Sequence, residues 1–341
     1  TTMGGSAADG TWEHVPDSSL AQTELTGYQL YAGDGTNFGS GPFNISVTGD
    51  LIDGNQSLAV TGNAIGRFNF IGNPYPSGLD FEDVQFHNSE MLPTYYMQDG
   101  EPEGGVNAVQ YRYYTAETGG FNNRDGVGTN GGTMIIPPGA AFFVAIDATT
   151  NGTIDFTNNY RDFSGNASIF STTPSAGLLK LSVTNQSNIK LSDETAIQFK
   201  TAYADAYSLK EDGVKWHNGV YPNLYTMADG EELVVNRLNE GFANTKTVDL
   251  YFGGEVAGDY TIAIPMEGID PNWTIVLVDK EMSTFTDLRR TDYAFTHNIG
   301  ANANRFLLHF NKTGAVGVDE AATAEVYSFV TENNLTLEYQ V

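Results

Sequence analysis

The residues of this sequence that could do chemistry are mainly carboxylates and tyrosines, because histidine is rare and cysteine is absent. No two histidines stand at the i, i+3 or i+4 spacing that would bring two imidazoles to one metal ion; the five are His14, His87, His217, His297 and His309. The sequence contains no His-Glu-x-x-His zinc motif and no Gly-x-Ser-x-Gly nucleophile turn. Without cysteine, disulfides and thiolate metal sites are excluded. We therefore find no catalytic constellation.

Two loops carry enough side-chain oxygens for a Ca²⁺ site. The first offers Asn122, Asn123 and Asp125 among glycines, and the second offers Asp205, Glu211 and Asp212. Neither loop has the regular Asp-x-Asp-x-Asp-Gly spacing, so a hydrated loop without an ion is the favoured interpretation. Pairs of carboxylates can also cleave glycosides, but only if the two carboxyls face one groove about 5 to 10 Å apart. We predict a protein that is not an enzyme and has no cofactor, with Ca²⁺ as the alternative.

The densest aromatic group consists of Tyr95, Tyr96, Tyr111, Tyr113 and Tyr114. Successive side chains of a strand point to opposite faces, so Tyr111 and Tyr113 share one face while Arg112 and Tyr114 share the other. We expect one face to pack in the core. The other is either a flat platform for stacking on glycans or a surface of cross-strand packing, and the packing interpretation is favoured.

The charge balance limits the partners. Among 341 residues, 42 are acidic and 16 are basic, which gives a formal net charge of −26. Nucleic acids and anionic lipids are bound through Lys and Arg, so neither is expected as a partner. The acids are dispersed along the chain, which is typical of a solvated coat. No apolar run approaches the roughly 20 residues of a membrane span, and we expect no membrane insertion.

The elements that must position these residues are strands. Apolar and polar residues alternate in many short segments, while amphipathic runs of helical period are almost absent. This pattern predicts an all-β fold of two tandem β-sandwich-like domains with antiparallel strands and long Gly/Asn-rich loops. Short helical segments are expected only within residues 79–92 and at residues 202–209. A Ser/Thr/Asn/Pro/Gly-rich stretch separates domains at 1–168 and 169–312, and residues 313–341 form a linker and a hairpin.

The first domain is organised around residues 68–77. A strand ends at Gly72 and Asn73, and Pro74 and Pro76 then remove two N–H donors and favour extended backbone. The result is a stiff corner that carries one aromatic residue, Tyr75. We interpret this corner as architecture and not as a ligand site.

Several short motifs follow one another along the chain. The first half contains Gly-Asn-Pro-Tyr-Pro-Ser at 72–77 and Pro-Pro-Gly-x-x-Phe-Phe-Val at 137–144. The second half contains Asp-Glu-Thr at 193–195, Pro-Asn-Leu-Tyr-Thr at 222–226, Gly-Asp-Tyr-Thr-Ile at 258–262 and Arg-Phe-Leu-Leu-His-Phe at 305–310. This succession resembles surface proteins that Bacteroidetes export through the type IX secretion system, and the tail from residue 326 resembles the start of their sorting domain. The resemblance implies secretion and a cell-surface location, and no particular reaction.

We expect a non-enzymatic extracellular or cell-surface protein with a structural or adhesive role, such as a stalk, a filament subunit or an adhesin segment. Its partners would be further copies of itself, neighbouring surface proteins or glycans. The terminal hairpin could pair with another chain through Val326, Tyr327, Phe329, Leu335, Leu337 and Tyr339. The alternative is a glycan-binding accessory region of a secreted polysaccharide-degrading enzyme.

Overall fold

The computed structural model describes residues 2–6, 12–14, 24–30, 50–62, 68–99, 110–117, 124–147, 151–163, 175–312, 325–331 and 334–340. Of residues 2–6, 12–14, 29–30, 325–331 and 334–340 it describes the backbone only. Within these ranges the chain consists of strands and turns with one short α-helix and one 3₁₀ turn. The predicted all-β fold class is confirmed. No helix in the described ranges is long and apolar enough to cross a membrane.

We call residues 24–163 the N-terminal unit and residues 175–312 the C-terminal unit. The elements before residue 164 are β1 (Thr2–Ser6), β2 (Trp12–His14), β3 (Tyr28–Leu30), β4 (Gln56–Val60), β5 (Asn69–Gly72), β6 (Gly78–Asp80), α1 (Phe81–His87), β7 (Thr94–Gln98), β8 (Tyr111–Thr115), β9 (Val127–Thr129), β10 (Ile135–Ile136), β11 (Ala141–Val144), β12 (Gly152–Phe156), the 3₁₀ turn Asn158–Tyr160 and β13 (Arg161–Asp162).

The later strands are β14 (Leu178–Asn185), β15 (Ser192–Lys200), β16 (Gly213–Val214), β17 (Asn223–Ala228), β18 (Glu231–Asn239), β19 (Thr245–Gly253), β20 (Gly258–Glu267), β21 (Thr274–Asp279), β22 (Thr284–Asp287), β23 (Tyr293–His297), β24 (Phe306–Asn311), β25 (Glu325–Thr331) and β26 (Asn334–Gln340). Every sheet in the described ranges is built from strands of one side of the predicted boundary. The boundary itself, at 168/169, lies outside the described residues.

The largest sheet of the N-terminal unit has the strand order β5-β11-β7-β8-β9. Smaller sheets, β10-β6-β13 and β12-β4, and helix α1 lie against one face of it, around a core that includes Tyr95, Phe81 and Phe142. Helix α1 begins after Asp80, whose carboxylate accepts a hydrogen bond from the backbone N of Asp83 at 3.3 Å. The helical segment expected within residues 79–92 is therefore confirmed.

The predicted helix at residues 202–209 is wrong, because this segment consists of turns and bends. Its backbone N–H groups are engaged by carboxylates outside it: the N of Tyr207 donates to Asp229 at 2.9 Å, and the N of Ser208 donates to Asp212 at 2.8 Å. Such side-chain acceptors compete with the i−4 carbonyls that a helix requires.

The corner between β5 and β6 is held by hydrogen bonds from its own side chains. The side-chain amide of Asn73 donates to the carbonyl oxygens of Ser77, Ile136 and Pro137 at 2.9 to 3.1 Å, and its Oδ1 accepts from the N of Tyr75 at 3.0 Å. The Tyr75 ring is buried, and its hydroxyl donates to a backbone carbonyl. Asn73 thus supplies the hydrogen bonds that the two prolines cannot make.

The C-terminal unit is one sheet with the order β22-β21-β24-β19-β17-β18-β15-β14-β20-β23, to which β16 adds beside β18. It closes nearly completely around a core of buried apolar side chains. Its two edge strands meet through Tyr293 of β23, whose hydroxyl lies 3.2 Å from Thr284 Oγ1 of β22 and donates to Asp279 at 2.7 Å. Arg305 joins the same carboxylate at 2.6 Å. Side-chain hydrogen bonds therefore link β22 and β23, the two ends of the sheet, which share no backbone ladder.

The predicted terminal hairpin is confirmed: β25 and β26 pair antiparallel from Glu325 opposite Gln340 to Thr331 opposite Asn334. The residues proposed for assembly lie in these strands, and their side chains lie outside the described part of the chain; they are Val326, Tyr327, Phe329, Leu335, Leu337 and Tyr339.

Candidate ligand site between the two units

The tyrosine-rich sheet of the N-terminal unit has two apolar faces, and this follows from the period of two. Tyr95 and Tyr114 lie opposite each other on β7 and β8 and point into the unit's own core. The next pair, Tyr96 and Tyr113, points the other way and packs against Val234 and other side chains of the C-terminal unit. The second half of the chain thus covers the centre of the face that could have been an exposed platform, around Tyr96 and Tyr113, whereas Phe70, Phe143 and Tyr111 remain partly exposed.

A row of aromatic residues crosses this covered face. Phe70 on β5 lies opposite Phe143 on β11, Phe143 lies opposite Tyr96, and Tyr96 lies opposite Tyr113. We call these four residues the aromatic row. Trp216 of the C-terminal unit stacks on the Tyr96 ring with centroids 4.3 Å apart and planes at 19°. Offset aromatic contacts of this kind add stabilisation beyond the area they bury, so Trp216 anchors one unit on the other.

A fully buried ion pair lies beside these rings. Lys215 Nζ is 2.7 Å from Asp193 Oδ2, and neither side chain is exposed to solvent. Asp193 Oδ1 also accepts from the amides of Asn130 and Asn218 at 2.7 and 3.1 Å, and its Oδ2 accepts from the N of Leu224 at 2.6 Å. Burial lowers the pKa of Lys215, and Asp193 opposes this shift. Because Asn130 belongs to the N-terminal unit, the pair is part of the contact between units.

Arg237 forms a second buried contact across the boundary. Its guanidinium donates to the carbonyl oxygens of Ala116 at 2.9 Å and Thr115 at 3.3 Å, at the end of β8, and to Glu211 O and Gln198 Oε1 within its own unit. Five donors in a planar fork suit such a set of acceptors. The end of β8 is thereby capped by a side chain from the other unit.

A cavity of about 300 Å³ opens next to the stacked Trp216 and Tyr96 rings. Residues of both units line it: Phe68, Leu92, Thr94, Tyr96 and Ala145 from the N-terminal unit, and Tyr207, Leu209, Asp212, Val214, Trp216 and Glu231 from the C-terminal unit. Largely apolar concave sites with a few polar groups are the usual form of small-molecule sites. This cavity is the candidate functional site.

The acids of the cavity differ in their surroundings. Asp212 is buried, and its two oxygens accept hydrogen bonds from the N of Arg237 at 2.7 Å and the N of Ser208 at 2.8 Å. Burial raises the pKa of Asp212 to about 6, against the effect of these hydrogen bonds. Glu231 is exposed at the rim. Burial, with Glu231 and Asp212 nearby, raises the pKa of Tyr207 to about 12.

The five predicted glycan-binding tyrosines are separated by the structure. Tyr95, Tyr96, Tyr113 and Tyr114 are buried, Tyr96 as part of the cavity wall, and Tyr111 is partly exposed. Tyr111 meets the Trp216 ring edge-on at 5.0 Å. A stacking platform on this sheet would therefore use Tyr111, with the partly exposed Phe70 and Phe143 of the aromatic row.

The predicted calcium ligands are dispersed as well. Asn122 and Asn123 lie outside the described residues, and Asp125 pairs with Lys200 at 3.3 Å. Asp205 pairs with Lys246 at 2.6 Å, and Glu211 offers its backbone carbonyl to Arg237. In the described ranges, no three His, Cys, Asp or Glu residues are grouped so that they could hold a metal ion. Of the described calcium candidates, Asp212 alone lines the cavity. Of the predicted glycan-binding tyrosines, Tyr96 lines it.

The sequence pattern missed several residues of the site, namely Trp216, Tyr207, Phe68, Glu231 and the Asp193–Lys215 pair. One signal was available: Trp216 is one of three tryptophans, and it stands beside Lys215 in a short polar segment where no strand pattern accounts for it. A large aromatic residue in such a place indicates a contact made outside its own segment.

Comparison with known proteins adds a family and no named relative. No curated protein and no solved structure matches the chain significantly. One family of domains matches residues 7–310, a range that includes both units and the cavity between them. The chain belongs to this family, whose description is "Domain of unknown function (DUF8693)".

Proposed function

We propose that this chain is a non-enzymatic extracellular surface protein with a structural or adhesive role, exported by a type IX-like secretion system. One observation carries the structural role: the two units are joined by buried side chains, including the Asp193–Lys215 pair and the stacked Trp216 and Tyr96 rings. In a passive linking module, the orientation of one unit relative to the other must be fixed by many contacts. The buried rings and charges between the two units supply such contacts.

The export proposal rests on the resemblance of the motifs at 72–77 and 137–144 and of the terminal hairpin to type IX cargo. The dispersed net charge of −26 suits a protein that remains soluble outside the cell. Protease treatment of intact cells of the source organism tests this location, because a surface protein is cleaved while a cytoplasmic control protein survives. Protection of the chain in intact cells would contradict the proposal.

Assembly is tested by removing the hairpin. Strands β25 and β26 form a two-stranded sheet whose two outer edges carry no further strand among the described residues, and such edges are able to pair with another chain. In native material viewed by electron microscopy, we expect polymers that disappear when residues 325–341 are deleted. Normal assembly of the truncated chain would refute the role of the hairpin.

The second candidate is a glycan-binding accessory region of a secreted polysaccharide-degrading enzyme. The partly exposed rings of Phe70, Phe143 and Tyr111 favour it, because flat aromatic surfaces stack on sugar rings. A glycan array compares the chain with its Tyr111→Ala and Phe143→Ala variants, and Phe285→Ala, a partly exposed ring of the C-terminal unit, is the control. Glycan signals that are lost in the first two variants and retained in the control would favour this candidate over the structural role.

A further inference from the structure

We propose that the cavity between the units binds a small organic cation, an ammonium group carried on an apolar or aromatic body. This activity is independent of the structural role proposed above, since a linking module need not hold a ligand. Three features of the cavity support it: the sign of its charge, a buried acid without a basic partner, and its aromatic wall.

Among the described residues, the charged side chains that line the cavity are the acids Asp212 and Glu231, and no lysine, arginine or histidine lines it. The chain as a whole adds to this bias with a net charge of −26. Acidic residues in a concave, low-dielectric site concentrate cations and repel anions. A phosphate, a carboxylate or an acidic sugar is therefore a poor ligand for this cavity.

Asp212 is a buried acid whose oxygens accept two backbone hydrogen bonds. It is 4% exposed, and no ion pair joins it to a basic side chain within the part of the chain that the structure describes. The guanidinium of Arg237 favours the charged form of Asp212 through space, but its N–H groups donate to backbone carbonyls and to Gln198 and not to the Asp212 carboxylate. A buried carboxylate that lacks a counter-ion is unfavourable, and a cation in the cavity would supply one.

The aromatic wall can complete the recognition of a cation. Trp216 is held by its stack on Tyr96 at 4.3 Å and by an edge contact with Phe68 at 4.5 Å, so the rings are fixed before a ligand enters. Tyr207 adds a ring close to both acids. The faces of such rings attract cations, most strongly where water is excluded. The volume of about 300 Å³ suits a small amine better than an oligosaccharide.

Calorimetric titration of the full chain with 2-phenylethylammonium tests the proposal, with the neutral 2-phenylethanol and the anionic phenylacetate as matched probes. At about pH 7.5, above the pKa of about 6 of Asp212, this carboxylate is ionised. We expect the ammonium to bind at least about tenfold more tightly than the alcohol, with no binding of phenylacetate. Equal affinity for the alcohol and the ammonium, or no detectable binding of the ammonium, would overturn the proposal.

Two variants locate the site. Asp212→Asn and Glu231→Gln should each weaken ammonium binding, Asp212→Asn by at least about tenfold because it removes the buried charge. Glu255→Gln makes the same charge change at an exposed acid outside the lining set and should leave affinity unchanged. If circular dichroism shows that Asp212→Asn does not fold, Glu231→Gln and the three probes still decide the matter. Equal ammonium affinity in Glu231→Gln, Glu255→Gln and the unaltered chain would place the cation elsewhere and refute the site.

Discussion

Replacing Lys215 by methionine should destabilise the chain more than any comparable change of a surface lysine. The substitution keeps most of the side-chain volume and removes the ammonium that lies 2.7 Å from Asp193. Asp193 then remains in a site with no solvent exposure, without its counter-ion. The effect measures how firmly the two units are joined, because the same carboxylate is held by Asn130 of the N-terminal unit.

The expected magnitude follows from the surroundings of Asp193. Breaking a buried ion pair by removing one partner typically lowers the free energy of unfolding by about 3 to 5 kcal/mol. Three N–H donors stay on the carboxylate after the substitution, from Asn130, Asn218 and Leu224, and they continue to stabilise its charge. We therefore expect the lower end, about 3 kcal/mol, which is roughly a hundredfold in the unfolding equilibrium.

Equilibrium unfolding in urea, followed by tryptophan fluorescence, measures this difference. Trp216 lies at the contact between units and Trp273 lies in the core of the C-terminal unit, so variants that lack Trp12 and keep one of these two report on each region separately. Lys280→Met is the matched control. Lys280 pairs with Asp249 at 3.0 Å while both side chains are well exposed, and such pairs contribute about 0 to 1 kcal/mol.

The reasoning is refuted if Lys215→Met and Lys280→Met lower the free energy of unfolding by the same amount. It is also refuted if the signal of Trp216 is unchanged while that of Trp273 shifts, because the loss must be felt first at the contact between the units.

Two further predictions concern the buried acid Asp212 and the tightly packed Gly126. Because burial raises the pKa of Asp212 to about 6 from an unfolded value near 3.8, the folded state binds more protons between these values and stability should rise as pH falls from 7 to 4. At about 1.4 kcal/mol per pKa unit, this shift contributes about 3 kcal/mol to the free energy of unfolding. The urea midpoint should therefore rise as the pH falls in the unaltered chain and should lose this dependence on pH in Asp212→Asn. An unchanged dependence in the variant would contradict the assignment. Gly126→Ala should lower stability by about 1 to 3 kcal/mol, because the added Cβ would overlap the Glu82 carboxylate and the Tyr114 hydroxyl. Gly253→Ala, where nothing lies within 4 Å of the new Cβ, is its control, and equal melting temperatures for the two variants would show that the site relaxes.

Local patterns were sufficient for the fold class and for individual elements. Alternation of apolar and polar residues predicted strands, since side chains of an extended chain point alternately to two faces. The same rule placed Tyr113 and Tyr114 on opposite faces, as the structure has them. The corner at residues 72–77 was predictable because proline limits its own backbone and that of the preceding residue. The helix at 202–209 was not excluded by local rules, since its competing acceptor Asp229 lies on another hairpin.

The sequence by itself determined that this chain forms sheets and that its tyrosine-rich strand pair presents tyrosines on both faces. Only the tertiary structure decided that one of these faces is covered by the C-terminal unit, and that Asp212 and Glu231 meet Tyr96 and Trp216 around one cavity. The physical reason is that strand periodicity is a property of neighbouring residues, whereas the Tyr113 hydroxyl reaches the carbonyl of Trp216 across 103 positions of the chain. Contacts of that range depend on how two folded surfaces fit together, which no local pattern encodes.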